Sequence, residues 1–304
     1  MSRILVTGAG GFVGAAVADL AARQGHQVTV LVRNPAAPRV ATLAGCCAVT
    51  VADLADKGAV NAALAQARPD IIIHSAWEGV GGAARAGDIQ LDNIRTTVSL
   101  LDAAITVGAS RFIGIGSQAE YGRHDRRIDE SAATEPFLLY GAAKLSACHL
   151  TRQRATEAGI GFAWLRLFSP YGPGDNPNWL IPSVAAQILA GQAPRTSLGT
   201  QNWDYLHIVD TARGVLAAAL TDSAQGVFNL SSGRAVTVRS IVERIRDLAR
   251  PGLALTFGDI PFGPNQIMHL EGDCSRLSAA TGWAPSIAIE DGLATVVDVL
   301  RQAA

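Results

Sequence analysis

Three side chains in the middle of the sequence could move a proton. "YGAAK" sets Tyr140 and Lys144 four residues apart, on one face of a helix. An ammonium beside a phenol stabilises phenolate and lowers a tyrosine pKa that otherwise sits near ~10. Such a tyrosine passes a proton to or from a substrate oxygen near neutral pH. By itself, a Tyr–Lys pair at this spacing is common and usually without function. Upstream, "GIGSQAEYG" closes an apolar run, and Ser117 falls at its carboxyl end, where open α/β sheets bind ligands. Its hydroxyl could hold the same substrate oxygen; the plainer reading is a turn serine.

A second set of residues could hold a cofactor. "LVTGAGGFVG" places Gly8, Gly11 and Gly14 at three-residue spacing between two apolar runs. Without a Cβ, Gly8 can make a tight turn, Gly11 lets a pyrophosphate approach the backbone, and Gly14 allows close helix–strand packing. The free N–H groups of the helix start then face the phosphates. A glycine triplet alone is a weak sign, but its place after the first strand of a βαβ unit strengthens it. The alternative is a merely tight turn. The second strand, "VTVLVRNP", ends in Arg33. An acidic residue about twenty positions past the loop would hold the ribose hydroxyls of NAD. A guanidinium suits a 2′-phosphate instead. The expected cofactor is therefore NADP, with a solvated surface arginine as the other reading. Asp53, after the third strand, could accept from an adenine amino group or serve as a cap or turn residue.

These residues need a scaffold, and the pattern supplies one. "RILVT", "QVTVLVR", "CAVTVA", "DIIIHSA", "RFIGIGS" and "GFAWLRLF" read as strands covered on both faces, because each is a nearly continuous apolar run. Between them lie amphipathic segments over 13–24, 60–67, 88–107 and 140–158. Strand–helix alternation of this kind predicts a doubly wound parallel sheet. After Phe168 the pattern changes. "SPYGPGDNPNW" is a loop, followed by a helix over 181–190. "WDYLHIV" and "GVFNLS" read as two more strands around a helix over 211–220, with Asp210 as its N-cap. The tail adds a helix over 238–249, a loop with prolines and glycines, and two final helical segments.

Composition narrows the classes. The chain has 304 residues, 49% of them hydrophobic, which suffices for one large α/β domain or a domain plus a smaller lobe. Net charge is −1 with no polybasic run, which disfavours nucleic acid and anionic membrane surfaces as partners. No apolar stretch approaches the ~20 residues of a membrane span. Cys46, Cys47, Cys148 and Cys274 show no metal-ligand spacing and read as reduced buried thiols. No His, Cys or carboxylate cluster has metal spacing either. The first strand begins at Arg3, which leaves no room for a signal peptide, so a cytoplasmic protein is expected.

Taken in order, "TGAGGFVG", "HSAW", "GSQAEYG", "YGAAK", "RLFSPYGPG", "WDYLHIVD", "FNLSSG" and "GDCSRLSAATGW" resemble the extended short-chain dehydrogenase/reductases. That family includes nucleotide-sugar epimerases, dehydratases and reductases. The resemblance spans the whole chain. It implies that Ser117, Tyr140 and Lys144 form the catalytic set and that Lys144 also binds the nicotinamide ribose. It implies a homodimer built on the helices over 88–107 and 140–158. Departures narrow the reading. Gln118 and Ala119 stand where the dehydratases carry Asp–Glu, which disfavours elimination of water. Ser169 follows Phe168 where an Asn is common. Trp203 and His269 stand where arginines commonly contact the substrate diphosphate. "GSQAEYG", "QNWDYLHIVD" and "MHLEGD" are most similar to the branch that reduces 4-keto deoxysugars, such as CDP-abequose and CDP-paratose synthases.

The expected fold is thus α/β: a Rossmann-type doubly wound parallel sheet with a smaller, mostly C-terminal substrate lobe. The dinucleotide domain covers 1–168, with 203–230 returning to it; the lobe covers 169–202 and 231–304. The expected cofactor contacts are Gly8, Gly11, Phe12, Val13, Gly14, Arg33, Asp53, Leu54, Ser75, Ala76, Tyr140, Lys144 and Phe168. Expected substrate contacts are Trp77, Ser117, Gln118, Glu120, Ser169, Trp179, Ile181 and Trp203. Several have plainer alternatives. Trp77 could be a core aromatic, Glu120 a solvated or capping carboxylate, and Trp179 and Ile181 lobe packing; His207 reads as structural. The expected activity is NADP-dependent reduction of a keto group on a nucleotide-linked deoxysugar. The alternatives are a 4-epimerase retaining NAD, a non-catalytic NADP-binding sensor, and reduction of a non-sugar ketone.

Overall fold

In the computed structural model, which describes residues 1–263 and 265–303, the first half of the chain alternates strand and helix. β1 (Arg3–Thr7) leads to α1 (Phe12–Arg23), β2 (Gln27–Val32) to α2 (Pro38–Leu43), and β3 (Ala48–Val51) to α3 (Lys57–Ala67). β4 (Ile71–His74) leads to α4 (Ile89–Thr106), and β5 (Arg111–Ser117) through α5 (Leu139–Ala158) to β6 (Gly161–Leu167). The second half holds β7 (Pro170–Tyr171), α6 (Leu180–Leu189), β8 (Asn202–Asp204), β9 (Leu206–His207), α7 (Ile208–Leu220) and β10 (Gly226–Leu230). It ends with β11 (Ala235–Thr237), α8 (Val238–Ala249), β12 (His269–Leu270), α9 (Ser275–Thr281) and α10 (Ile289–Ala303).

Seven strands form one parallel sheet in the order β10-β6-β5-β4-β1-β2-β3. Val6 of β1 faces Val30 on one side and Ile73 on the other. Strand order reverses between β1 and β4, so the connections leaving their carboxyl ends part and open a crevice. β4 and β5 are buried along their whole length, as their apolar runs require. Val17 of α1, Val215 of α7 and Leu277 of α9 pack one face of the sheet. Leu64 of α3, Leu101 of α4 and Ala147 of α5 pack the other. The fold is the doubly wound, Rossmann-type sheet that the strand–helix alternation predicts.

A separate apolar cluster joins α6, α8 and α10 through Ile188, Ile241 and Val297, with Trp203 and Val236 of the small sheet β11-β8-β12 against it. Some boundaries differ from expectation. "WDYLHIV" is not one strand: it breaks at Tyr205 into β8 of the small sheet and β9, which pairs with β7. Residues 203–204 therefore belong to the small sheet, between β11 and β12. Cys274, Leu277 and Trp283, near the end of the chain, pack in the core of the large sheet. α7 starts three residues early, because His207 caps it, Nδ1 accepting from Val209 N at 3.3 Å. Asp210 is buried inside the first turn. Its carboxylate accepts from the backbone of Ser286 and Ile287, each at 2.8 Å, and so clamps the C-terminal segment. Cys46 is exposed, unlike the other three cysteines.

Candidate active site

The crevice between β1 and β4 opens into a cavity of about 1000 Å³ that runs on along α4 as far as Leu150 and Arg154 of α5. Gly8, Gly11, Arg33, Asp53, Leu54, Ser75, Ala76 and Trp77 line it. Gly8 turns with φ +77°, and a Cβ there would lie 2.5 Å from Ala76 N. A Cβ on Gly14 would run into the Gly8 carbonyl. Gly11 caps α1 without a side-chain hydrogen bond, so the N–H groups of Phe12, Val13 and Gly14 stay free for a ligand. These are the features a pyrophosphate needs, and the residues present fit a dinucleotide. Phe12, Val13 and Gly14 form the helix turn rather than the cavity wall. Arg33 forms an ion pair with Glu78. Asp53 Oδ1 accepts from Ala55 N at 2.9 Å, in a turn on the same wall.

Past Trp77 lie the three side chains expected to transfer a proton, at what we term the proton-transfer end. Ser117, Tyr140 and Lys144 are all buried there, brought together by the end of β5 and the first two turns of α5. Lys144 Nζ donates to the Ile115 carbonyl at 2.6 Å and rests 3.8 Å from the centre of the Trp77 ring. The indole Nε1 is fixed by donation to Gln90 Oε1 at 2.8 Å. Burial lowers the Lys144 pKa to about 7, against the pull of the Glu120 carboxylate. Burial raises the pKa of the Tyr140 phenol, while hydrogen bonding with Ser117 and the Arg85 charge act in the opposite direction. The cation stacked on that phenol is Arg85, with its guanidinium carbon 4.4 Å from the ring centre. Lys144, which the spacing sets on the same helix face as Tyr140, directs its ammonium to Ile115 and Trp77.

Glu120 is not a sugar contact and not a solvated carboxylate. It is fully buried. Its Oε1 accepts from Ser117 N at 2.8 Å and Trp164 Nε1 at 2.9 Å, and its Oε2 from Arg166 Nε at 2.8 Å. It completes a capping box with Ser117, whose Oγ accepts from Ala119 N at 3.2 Å. Room for this cluster comes from Gly116, where a Cβ would lie 2.5 Å from Glu120 Oε1.

The remaining expected substrate residues divide. Gln118 Oε1 is buried without a partner, next to Ser117. Ser169 sits at φ +21° and accepts from Trp203 Nε1 at 2.5 Å. Trp179 is exposed and lies over Gly81, where a Cβ would be 3.1 Å from the indole. Ile181 is buried in the lobe core beside Val184 and Ile188, so it faces no ligand. Phe168 is likewise enclosed, among Tyr121, Ile128 and Leu270, and its side chain cannot touch a cofactor. Sequence reasoning missed Arg85, Trp164 and Arg166. Arg85 lies in a loop with no periodicity. The other two had a signal: Gly114 and Gly116 of β5 pair with Trp164 and Arg166 of β6, small residues beside large ones.

This geometry can be set beside known proteins. The model of the NAD dependent epimerase/dehydratase family matches residues 4–231. The chain belongs to that family, and it is an enzyme. It is 29% identical to a UDP-glucose 4-epimerase of Corynebacterium glutamicum, over 93% of this chain and 91% of that protein. It is also 29% identical to a GDP-6-deoxy-D-mannose reductase of Pseudomonas aeruginosa, over 75% of this chain and 79% of that protein. The fold matches that of a Thermus thermophilus UDP-glucose 4-epimerase in complex with NAD, with a TM-score of 0.89 and 23% identity, over 99% of this chain and 100% of that one. Epimerases and reductases thus stand side by side among the relatives of this enzyme. Among its described residues, no helix is long and apolar enough to cross a membrane.

Proposed function

We propose that the enzyme reduces a keto group on a nucleotide-linked deoxysugar with NADPH. One observation carries the choice of cofactor: Arg33 lines the cavity at the end of β2, where an acidic residue would serve NAD. When bound, the nicotinamide supplies the hydride. Gly8, Gly11 and the start of α1 hold the pyrophosphate. Arg33 takes the 2′-phosphate, and Asp53 the adenine amino group. Tyr140 donates the proton to the substrate oxygen, and Ser117 holds that oxygen. Lys144, steadied on Trp77, binds the ribose. The free acceptor on Gln118 takes a sugar hydroxyl, and the Ser169–Trp203 pair and Trp179 border the sugar pocket. Positioning and electrostatics provide most of the acceleration. On this reading the enzyme is cytoplasmic and pairs α4 and α5 with a second copy, which covers exposed Leu91 and Leu150.

A second reading, 4-epimerisation with retained NAD, is favoured by the near full-length match to an epimerase. The spectrum of the purified protein separates the two. Net NADPH oxidation with a 4-keto sugar nucleotide supports reduction; tightly held NAD without net turnover supports epimerisation. A thermal-shift panel of UDP, dTDP, CDP and GDP, with NADP or NAD present, identifies the nucleotide by mass action. Tyr140→Phe is expected to cut turnover by about 10²- to 10⁴-fold with the dinucleotide still bound. Unchanged turnover in that variant would sink the proton-donor role.

A further inference from the structure

The loop between β4 and α4 carries a half-buried cation, Arg85, with no carboxylate partner among the described residues. Arg33 and Arg166, the other arginines of the site, each have a carboxylate partner. Arg85 has none among the described residues, and its Nε is buried with no hydrogen-bond partner. A guanidinium has five N–H donors, and enclosing one without an acceptor costs free energy. Stacking on Tyr140 offsets part of that cost but satisfies no donor.

The loop is also built to keep Arg85 in place. Gln90, fully buried, donates through Nε2 to the carbonyls of Gly79 at 2.9 Å and Ala84 at 3.0 Å. Gly79 has φ +68°, and a Cβ there would lie 2.7 Å from that Nε2. The same Gln90 fixes Trp77. One side chain therefore holds both the platform under Lys144 and the loop that brings Arg85 over the phenol.

We propose that Arg85 is a receptor for an oxyanion of the substrate, bound at its sugar end beside the reacting carbon. The inference rests on the nucleotide-sugar reading above. Arg85 lies over Tyr140, at the opposite end of the site from the Gly8–Gly14 turn assigned to the cofactor's phosphates, so the oxyanion it would meet belongs to the substrate. A group held by its fork lies within one sugar ring's span of the Tyr140 hydroxyl. Two oxyanions fall in that span: a carboxylate on the sugar and the phosphate joined to it. Either makes charge-assisted, bidentate bonds with a guanidinium.

Calorimetry on the full chain, saturated with its dinucleotide, tests this with UDP, UDP-glucose and UDP-glucuronate as probes. Arg85→Met is expected to weaken binding by about 10- to 100-fold, with melting temperature and dinucleotide affinity unchanged. Arg85→Lys is expected to restore part of the loss. A loss confined to UDP-glucuronate identifies a sugar carboxylate and makes the substrate an acidic sugar instead of a deoxysugar. An equal loss for all three identifies the phosphate. If Arg85→Met binds every probe as the wild type does, the receptor is overturned while the nucleotide-sugar reading stands. A drop in melting temperature and in dinucleotide affinity that Arg85→Lys shares overturns it too, since the role is then packing. A wild type that binds none of the probes, and is not stabilised by dTDP, CDP or GDP in the thermal-shift panel either, removes the reading and the inference together.

Discussion

The two ends of the site are made of different material. At the dinucleotide end, backbone does the work: glycines clear a path and helix N–H groups face the crevice. The charged side chains there, Arg33 and Glu78, are about half exposed. At the proton-transfer end, side chains do the work and almost nothing reaches solvent. Glu120 and Arg166 pair at 0% and 5% side-chain exposure, with Ser117 and Lys144 beside them. The first end tolerates changes of charge and fails on changes of shape. The second should show the reverse, since a buried charge that loses its partner keeps its desolvation penalty.

Glu120→Val gives the largest effect. It strands Arg166 and should cost about 3–5 kcal/mol in a denaturant titration, while Glu120→Val with Arg166→Met recovers most of it. A loss in the single variant no larger than at a surface site would erase the contrast between the two ends. Gly14→Ala is the matching test of shape. Its Cβ meets the Gly8 carbonyl, and we expect a loss of about 1–3 kcal/mol together with weaker dinucleotide binding. Retained affinity would show that the cradle is softer than it looks.

Lys144→Met sharpens the comparison through pH. In the folded enzyme the ammonium, facing Glu120 and the buried neutral His74, loses its proton at about 7, against 10.5 for an ordinary lysine. Between these values the unfolded chain binds more protons, so wild-type stability rises with pH; below about 7 the full cost of the buried charge is present. Melting curves of the variant should therefore exceed the wild type most below pH 7, and the gap should close towards pH 10. A gap that does not vary with pH would mean that Lys144 is not buried as a cation. The smallest effect is expected for Arg33→Ser, which should lower the preference for NADP over NAD by about tenfold, read from the two dissociation constants, with stability unchanged.

The sheet and the glycine loop were legible because each is written in neighbouring residues. Continuous apolar runs make buried strands, and three glycines between a strand and a helix make a tight turn that leaves the first N–H groups of the helix open. The Tyr140–Lys144 spacing was legible for the same reason: four residues are about one helical turn. "WDYLHIV" misled because an apolar run does not say which sheet each half joins. Glu120 was legible as a cap on the turn after Ser117, but its burial and ion pair were not, because Trp164 and Arg166 lie on another strand. Local sequence determined the fold, the glycine turn and the placing of Tyr140 and Lys144 one helical turn apart. Only the tertiary structure decided that Glu120 sits beneath Ser117, that Lys144 rests on Trp77, and that Arg85 is the cation over the phenol. Those contacts join residues far apart in the chain, and burial and charge at such a point are set by packing, which no spacing encodes.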